Sequence, residues 1–260
     1  MQPQVFERLE LKYALDEHTA ARVRRAIAPW VSPDRFNTVG GRAGYPIASL
    51  YLDTPGLAFH RAKLEGQSDR FKLRIRTYGP DGPAHMEIKR KVNQVVHKLR
   101  VTVPRETAQS AARGTLPPGF EEPGPARRVL ERFQFLALRS GAEPKLTVCY
   151  DREAYQSTVD SYARVTFDRS ITAAPTDPLD WNLYPGTAPL EWRYLDAGAK
   201  LPDGVTSVVM LELKCEPQMP LWMSRIIREH DLGRVGFSKY SSGIATCGVG
   251  LSQSQIVWRS

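Results

Sequence analysis

The chain has 260 residues and a formal net charge of +8, so it can bury a substantial core and favours an anionic partner: nucleic acid, a membrane surface or a phosphorylated small molecule. No apolar run approaches the ~20 residues of a membrane span, and Met1-Gln2-Pro3-Gln4 leads directly into a charged segment, so neither a span nor a secretory leader is expected. The three cysteines, Cys149, Cys215 and Cys247, show no zinc spacing and no disulfide framework, and a reduced, cytoplasmic setting is the expectation.

Strict alternation, the period of a strand with two unlike faces, recurs along the chain. From Phe6 to Tyr13, Leu9, Leu11 and Tyr13 oppose Arg8, Glu10 and Lys12. A helix is predicted from Glu17 to Val31, with Ala21, Val23, Ile27 and Trp30 on one side. From Ile47 to Asp53, Ala48, Leu50 and Leu52 oppose Ser49, Tyr51 and Asp53. From Phe71 to Tyr78, Phe71, Leu73 and Ile75 oppose Lys72, Arg74 and Arg76. Met86 and Ile88 then oppose Glu87 and Lys89 between His85 and Arg90, and Leu99, Val101 and Val103 oppose Lys98, Arg100 and Thr102 between Val95 and Val103. Gly114 to Pro125 is a Pro- and Gly-rich loop. A second helix over 126–139 aligns Val129, Leu130, Phe133, Leu136 and Ala137. Lys145 to Arg152 is a less regular strand, and in Ala163 to Asp168, Val165 and Phe167 oppose Arg164, Thr166 and Asp168. The proline-rich stretch Thr172 to Gly204 has little periodicity and is expected to be a long connection or lid. In Val208 to Lys214, Val209, Leu211 and Leu213 oppose Met210, Glu212 and Lys214, and a last helix over 219–230 aligns Leu221, Met223, Ile226 and Ile227. About eight strands suffice to close a barrel. Strands of one polarity pattern flank each loop, so residues 1–260 are expected to form one domain.

An ordinary half-exposed sheet would bury its apolar face and leave its charged face in water. Two features point the other way. The helices need an apolar surface to dock on, which the outside of a barrel supplies. The polar faces also carry one chemistry: Lys12, Arg74, Arg76, Lys89, Lys98, Arg164 and Lys214, opposed only by Glu10, Glu87, Asp168 and Glu212. Surfaces built for solubility mix the signs evenly. Enclosed cations need matching anions, and a polyphosphate with its metal would match them. The expectation is therefore α+β: an antiparallel barrel lined with charge, helices outside.

The order Arg8-Leu9-Glu10-Leu11-Lys12-Tyr13, Ser49-Leu50-Tyr51-Leu52-Asp53-Thr54, Lys72-Leu73-Arg74-Ile75-Arg76-Thr77-Tyr78, Glu87-Ile88-Lys89, Tyr150-Asp151-Arg152, Arg164-Val165-Thr166-Phe167-Asp168, Leu211-Glu212-Leu213-Lys214 and Phe237-Ser238-Lys239-Tyr240 resembles the VTC domain. That family is the polyphosphate polymerase branch of the triphosphate tunnel metalloenzymes. The resemblance implies a tunnel that moves the γ-phosphate of ATP onto a growing inorganic polyphosphate chain with Mn²⁺ or Mg²⁺. By position it implies phosphate contacts at Lys12, Arg74, Arg76, Lys89, Lys98, Arg152, Arg164 and Lys239, with Tyr150 and Ser238 as polar helpers. Glu212 would hold the metal with Glu87 near it, and Lys214 would orient phosphate.

Phosphoryl transfer needs positioning and charge neutralisation more than covalent chemistry, and arginine forks suit phosphate oxygens. Arg74 and Arg76 share a strand face ~7 Å apart, about twice the strand rise, a spacing that can grip neighbouring phosphates. No Gly-x-x-x-x-Gly-Lys-[Ser/Thr] loop is present, which disfavours a P-loop nucleotidase. Hydrolytic tunnel enzymes resemble one another in starting Glu-x-Glu-x-Lys, and here the first glutamate is Arg8. Arg8 either shifts the tunnel from water activation toward polyanion binding or pairs with a neighbouring Glu. Glu10 is either a second metal ligand or a partner of Lys12. Asp53 either accepts hydrogen bonds from tunnel arginines or ends its strand before Pro55. Trp181, Tyr184, Trp192 and Tyr194 either stack an adenine or anchor their loop. His18, His60, His85, His97 and His230 show no paired ligand spacing. Three functions stay open: polymerase, tunnel triphosphatase, and a polyphosphate-binding module without turnover. Nucleic acid is not an expected partner, since the strands offer few stacking platforms.

Overall fold

The computed structural model describes residues 8–34, 36–37, 44–93, 95–177, 192–195 and 208–250. Its strands are β1 (Leu9–Leu15), β2 (Val31–Pro33), β3 (Tyr45–Asp53), β4 (Asp69–Tyr78), β5 (Ala84–Val92), β6 (Val95–Val103), β7 (Glu143–Ser157), β8 (Ala163–Pro175), β9 (Arg193–Tyr194) and β10 (Val209–Cys215). The helices are α1 (Glu17–Ile27), α2 (Ala58–Leu64), α3 (Ala108–Ala112), α4 (Pro125–Ser140), α5 (Leu221–Glu229) and α6 (Lys239–Cys247).

One antiparallel sheet runs in the order β1-β10-β8-β7-β3-β4-β5-β6, with β2 added to β7 and β9 to β8. Its outer strands β1 and β6 are not hydrogen-bonded to each other among the described residues, so the expected barrel is an open, strongly curled sheet. The curl brings its two ends face to face: Lys89 on β5 reaches Glu10 on β1 at 3.2 Å. Residues 234–239 run beside the free edge of β1, where Arg234 bridges Tyr13 and the Val235 amide donates to the Lys12 carbonyl at 2.8 Å.

The apolar strand faces point outward onto helices, as the alternation predicts. Leu73, Ile75, Met86, Ile88 and Val101 pack under α4 residues Leu130, Phe133 and Ala137. On the other half, Leu11, Tyr13, Val165, Phe167 and Leu211 meet Val23 and Ile27 of α1 and Met223 and Ile226 of α5. α6 differs, lying on the inner face at one end. There a Cβ added to Gly243 would come within 2.4 Å of Leu146 and 3.2 Å of Ala173, so only glycine allows this approach.

Helix ends follow local chemistry. The Asp16 side chain accepts from the Thr19 amide at 2.6 Å and starts α1. That helix stops at Ile27, short of the expected Val31, because Pro29 restricts the residue before it. Trp30 therefore leaves the helix and stacks on Trp222, with ring centroids 6.4 Å apart. In α5 Trp222 is buried with Met223 and Ile226, whereas Leu221 is 87% exposed. Asp53 ends β3, as one of its two expected roles has it, and does not accept from the cavity arginines. Its carboxylate accepts from the Phe59 and His60 amides at 2.9 Å each, tying down the start of α2, and from the Tyr240 hydroxyl at 2.7 Å. β8 runs to Pro175 and takes the first residues of the expected connection, and Tyr194 pairs with Thr172 and stays exposed. Trp181 and Tyr184 lie outside the described residues. Among those residues no helix is long and apolar enough to cross a membrane.

Candidate active site

The inner face of the curled sheet collects the charge that alternation assigned to one side of each strand. β1 supplies Glu10 and Lys12, β3 Tyr51, β4 Lys72, Arg74 and Arg76, and β5 Glu87 and Lys89. β7 adds Tyr150 and Arg152, β10 adds Glu212 and Lys214, and Ser238 and Lys239 enter from the start of α6. Together they line a cavity of about 140 Å³ in which eight cations face three carboxylates. Such an excess is tolerable only where buried anions hold part of it in place.

Two buried carboxylates do so. Glu87 is 1% exposed and accepts from Arg74 Nε at 2.5 Å, Arg100 Nε at 2.7 Å and Lys98 Nζ at 2.7 Å. Burial opposes its charge, yet Arg74, Arg76, Lys98 and Arg100 hold its carboxyl far below the ordinary carboxylate range. Asp168, fully buried on β8, takes both arms of the Arg152 fork at 2.7 Å and Lys239 Nζ at 2.5 Å. Against the penalty of burial, Arg152 and Lys239 bring its carboxyl down to about 2.

Glu212 is a different kind of group. It is buried, and its cation contacts are long: Lys214 at 3.2 Å, Lys12 and Arg152 at 3.9 Å each. Burial disfavours its charge, but Lys214, Lys12, Arg152 and Lys239 keep it well below its ordinary value, so it is a carboxylate with lone pairs to spare. On the next strand its register partner is Thr166, whose buried hydroxyl has no hydrogen-bond partner among the described residues. The Tyr150 hydroxyl is likewise buried without a partner among those residues, its ring under Lys239 Nζ at 4.5 Å and Arg152 at 5.3 Å. Hydroxyls left open in this way await an acceptor.

The cavity also perturbs its own cations. Burial lowers the Lys72 ammonium to about 8, with Lys89 and Lys12 adding repulsion that Tyr51 only partly offsets. Lys12 is lowered too, again mainly by burial. A polyanion would reverse both effects. Triphosphate binding at pH 8 is therefore expected to take up protons, and its affinity to fall as pH rises through 8, where Lys72 loses its charge. Titration calorimetry in two buffers of different ionisation enthalpy measures that uptake; proton release would contradict it.

Most of the residues expected at a site converge here, but three lie elsewhere. Arg8 is exposed, its guanidinium 3.7 Å from the centre of the Tyr162 ring, so it neither lines the cavity nor takes the place of a bore carboxylate. Arg164 donates to Asp34 at 2.6 Å, away from the cavity lining. Lys98 backs Glu87, with its side chain 46% exposed. Glu10 pairs with Lys89 at 3.2 Å and Lys214 at 4.0 Å rather than with Lys12. Lys72 and Tyr51 are not among the expected site residues, and the anchoring roles of Glu87 and Asp168 are not anticipated either. Lys72 is nevertheless legible in the sequence, since it shares the face of Arg74 and Arg76.

A family model described as VTC domain matches residues 7–247. No curated protein matches the chain. Among solved structures, a candidate adenylate cyclase from Bacillus halodurans has the same fold, at 14% identity and a TM-score of 0.50, covering 90% of this chain and 95% of that one. A candidate adenylyl cyclase from Hippeastrum, described as having a dominant triphosphatase activity, is also similar, at 14% identity and a TM-score of 0.47, covering 92% and 95%.

Proposed function

From the premise that this chain belongs to the VTC domain family, we propose that it is an ATP-dependent polyphosphate polymerase. The observation that carries the proposal is the confined excess of eight cations over three carboxylates, two of which spend little of their charge on short bonds. That excess matches a phosphate chain better than a single small anion.

In the transfer, a terminal phosphate oxygen of the growing chain forms a bond to the γ-phosphorus of ATP. The bond to the β–γ bridging oxygen breaks, and ADP leaves with that electron pair. The nucleophile is already ionised at neutral pH, so no side chain has to act as a base. Arg74, Arg76 and Arg152 grip non-bridging oxygens with forked donors, and Lys12, Lys72, Lys89 and Lys239 add point charge. The unpartnered Tyr150 hydroxyl and Ser238 donate to further oxygens. Glu87 and Asp168 position the arginines in advance, so little reorganisation remains at the moment of reaction.

The donor set fits a hard divalent cation, Mn²⁺ or Mg²⁺. Glu212 would hold it, with Glu10 and the Thr166 hydroxyl as its nearest support. Among the described residues no three His, Cys, Asp or Glu side chains cluster as ligands. When bound, the metal would neutralise part of the phosphate charge. Glu87 is better suited to anchoring, because its oxygens are committed to three cations.

The test is product analysis. Wild-type protein with ATP and Mn²⁺ should give ADP and a ladder on a gel that exopolyphosphatase removes, and Glu212→Gln should lose the ladder while still binding ATP. Free phosphate released in step with ADP, without a ladder, would make the protein a triphosphatase. No turnover with any divalent metal would leave a binding module.

A further inference from the structure

We propose that Tyr51 contacts the phosphate chain directly, donating its phenolic hydrogen to a phosphate oxygen as long as that hydrogen is present. The inference rests on the phosphate-chain reading of the cavity and extends it to a residue outside the charged set.

Tyr51 lines the cavity from β3, 5% exposed and opposite Arg74 in register. Its ring is stacked on that of Tyr240 from α6, with centroids 4.9 Å apart and planes at 19°. Tyr240 is itself tied to Asp53 at 2.7 Å, so the platform under Tyr51 is held from two elements. The charged groups that act most strongly on the phenol come from β4: Arg74, Arg76 and Lys72. Of the three, Arg74 lowers the phenol most, and the phenol keeps a hydrogen bond to donate. Charged lysine and arginine have no lone pair to accept one. From β7 the register partner is Leu146, which cannot accept either. The Tyr51 hydrogen thus faces three donors, and a phosphate oxygen lodged between them would accept it.

The same surroundings make this donor pH-sensitive. Burial would raise the phenol, but Arg74, Arg76 and Lys72 outweigh burial and bring it down to about 8. Above that pH a tyrosinate would neutralise one cation and repel phosphate. The hydroxyl therefore helps binding in its protonated form and hinders it when ionised.

Calorimetric titration of wild type and Tyr51→Phe with inorganic triphosphate at pH 6.5 and pH 9 tests this. Phe keeps the Tyr240 stack and removes only the hydroxyl. At pH 6.5 the variant should bind ~10-fold more weakly or worse, the worth of about one hydrogen bond to a charged group. At pH 9 that deficit should vanish or reverse. An equal loss at both pH values, or none at pH 6.5, would overturn the proposal. Wild type that binds no triphosphate at either pH would instead sink the underlying reading of the cavity. Independently of the variant's folding, wild-type tyrosinate absorbance should rise near pH 8, and bound triphosphate should move that rise to higher pH. An unmoved rise would also count against direct contact.

Discussion

Asp168→Asn is expected to lose about 3–5 kcal/mol of stability, because it strips the charge from a fully buried carboxylate that pairs two cations. Arg152 and Lys239 would remain buried, and the new amide would turn a donor toward one of them. Turnover should fall with stability, since both cations lose the group that aims them into the cavity. The pH dependence provides a second check. The wild-type carboxyl lies at about 2, below its ordinary value of about 3.9, so its contribution is complete above the ordinary value and disappears as pH falls toward 2. Wild type should lose that stability on acidification, whereas the variant lacks it throughout. Denaturant unfolding between pH 2 and pH 7 compares them. Equal stabilities at pH 7 would mean that water or another anion compensates the two cations, and that Asp168 is no anchor.

Arg76→Ala should have the opposite signature, a large loss of activity on an intact fold. Arg76 is 6% exposed on β4, with Nε donating to Ser49 Oγ at 3.0 Å. Its removal leaves Glu87 with Arg74, Arg100 and Lys98. The stability cost should therefore stay near the ~1 kcal/mol of one hydrogen bond. If two charge-assisted bonds to phosphate are lost, at about 1.5–3 kcal/mol each, kcat/KM should drop ~100-fold or more. Arg76→Lys should restore only part of this, because an ammonium cannot fork across two oxygens. Steady-state kinetics beside a melting curve distinguishes the cases. A collapse of the melting temperature would place Arg76 in the scaffold instead.

The two variants differ because one group faces the cavity and the other supports it, a distinction that alternation alone does not make. Period-2 patterning follows from strand geometry, since successive Cβ atoms leave a strand on opposite sides. For that reason alternation alone assigns Lys12, Arg74, Arg76, Lys89, Glu212 and Lys214 to the polar faces of their strands, and all six line the cavity. The apolar faces follow from the same rule, and they do carry α1, α4 and α5. α6 is not legible in this way. Its Ser241-Ser242-Gly243 stretch has no amphipathic stripe, and it lies where it does because Gly243 fits against Leu146 and Ala173.

Around the bore, the sequence says which side of a strand a residue occupies, but not how far along the curl or how close to the rim. Arg8 and Arg164 have the same parity as Glu10 and Asp168, yet the first stacks on Tyr162 and the second pairs with Asp34, because both sit where β1 and β8 begin. Glu87 is expected beside the metal and is instead saturated by three cations. Glu212 keeps long contacts and open lone pairs. Both are glutamates on the polar face of a strand, and local pattern cannot separate them. What separates them is the set of cations that the curl brings within hydrogen-bonding distance of each, and those come from strands far apart in sequence. The sequence by itself therefore determined the face and the sign of the charge. The tertiary structure decided which charges are spent on one another and which are left for a ligand, because charge pairing falls off within a few ångströms and only the folded sheet sets those distances.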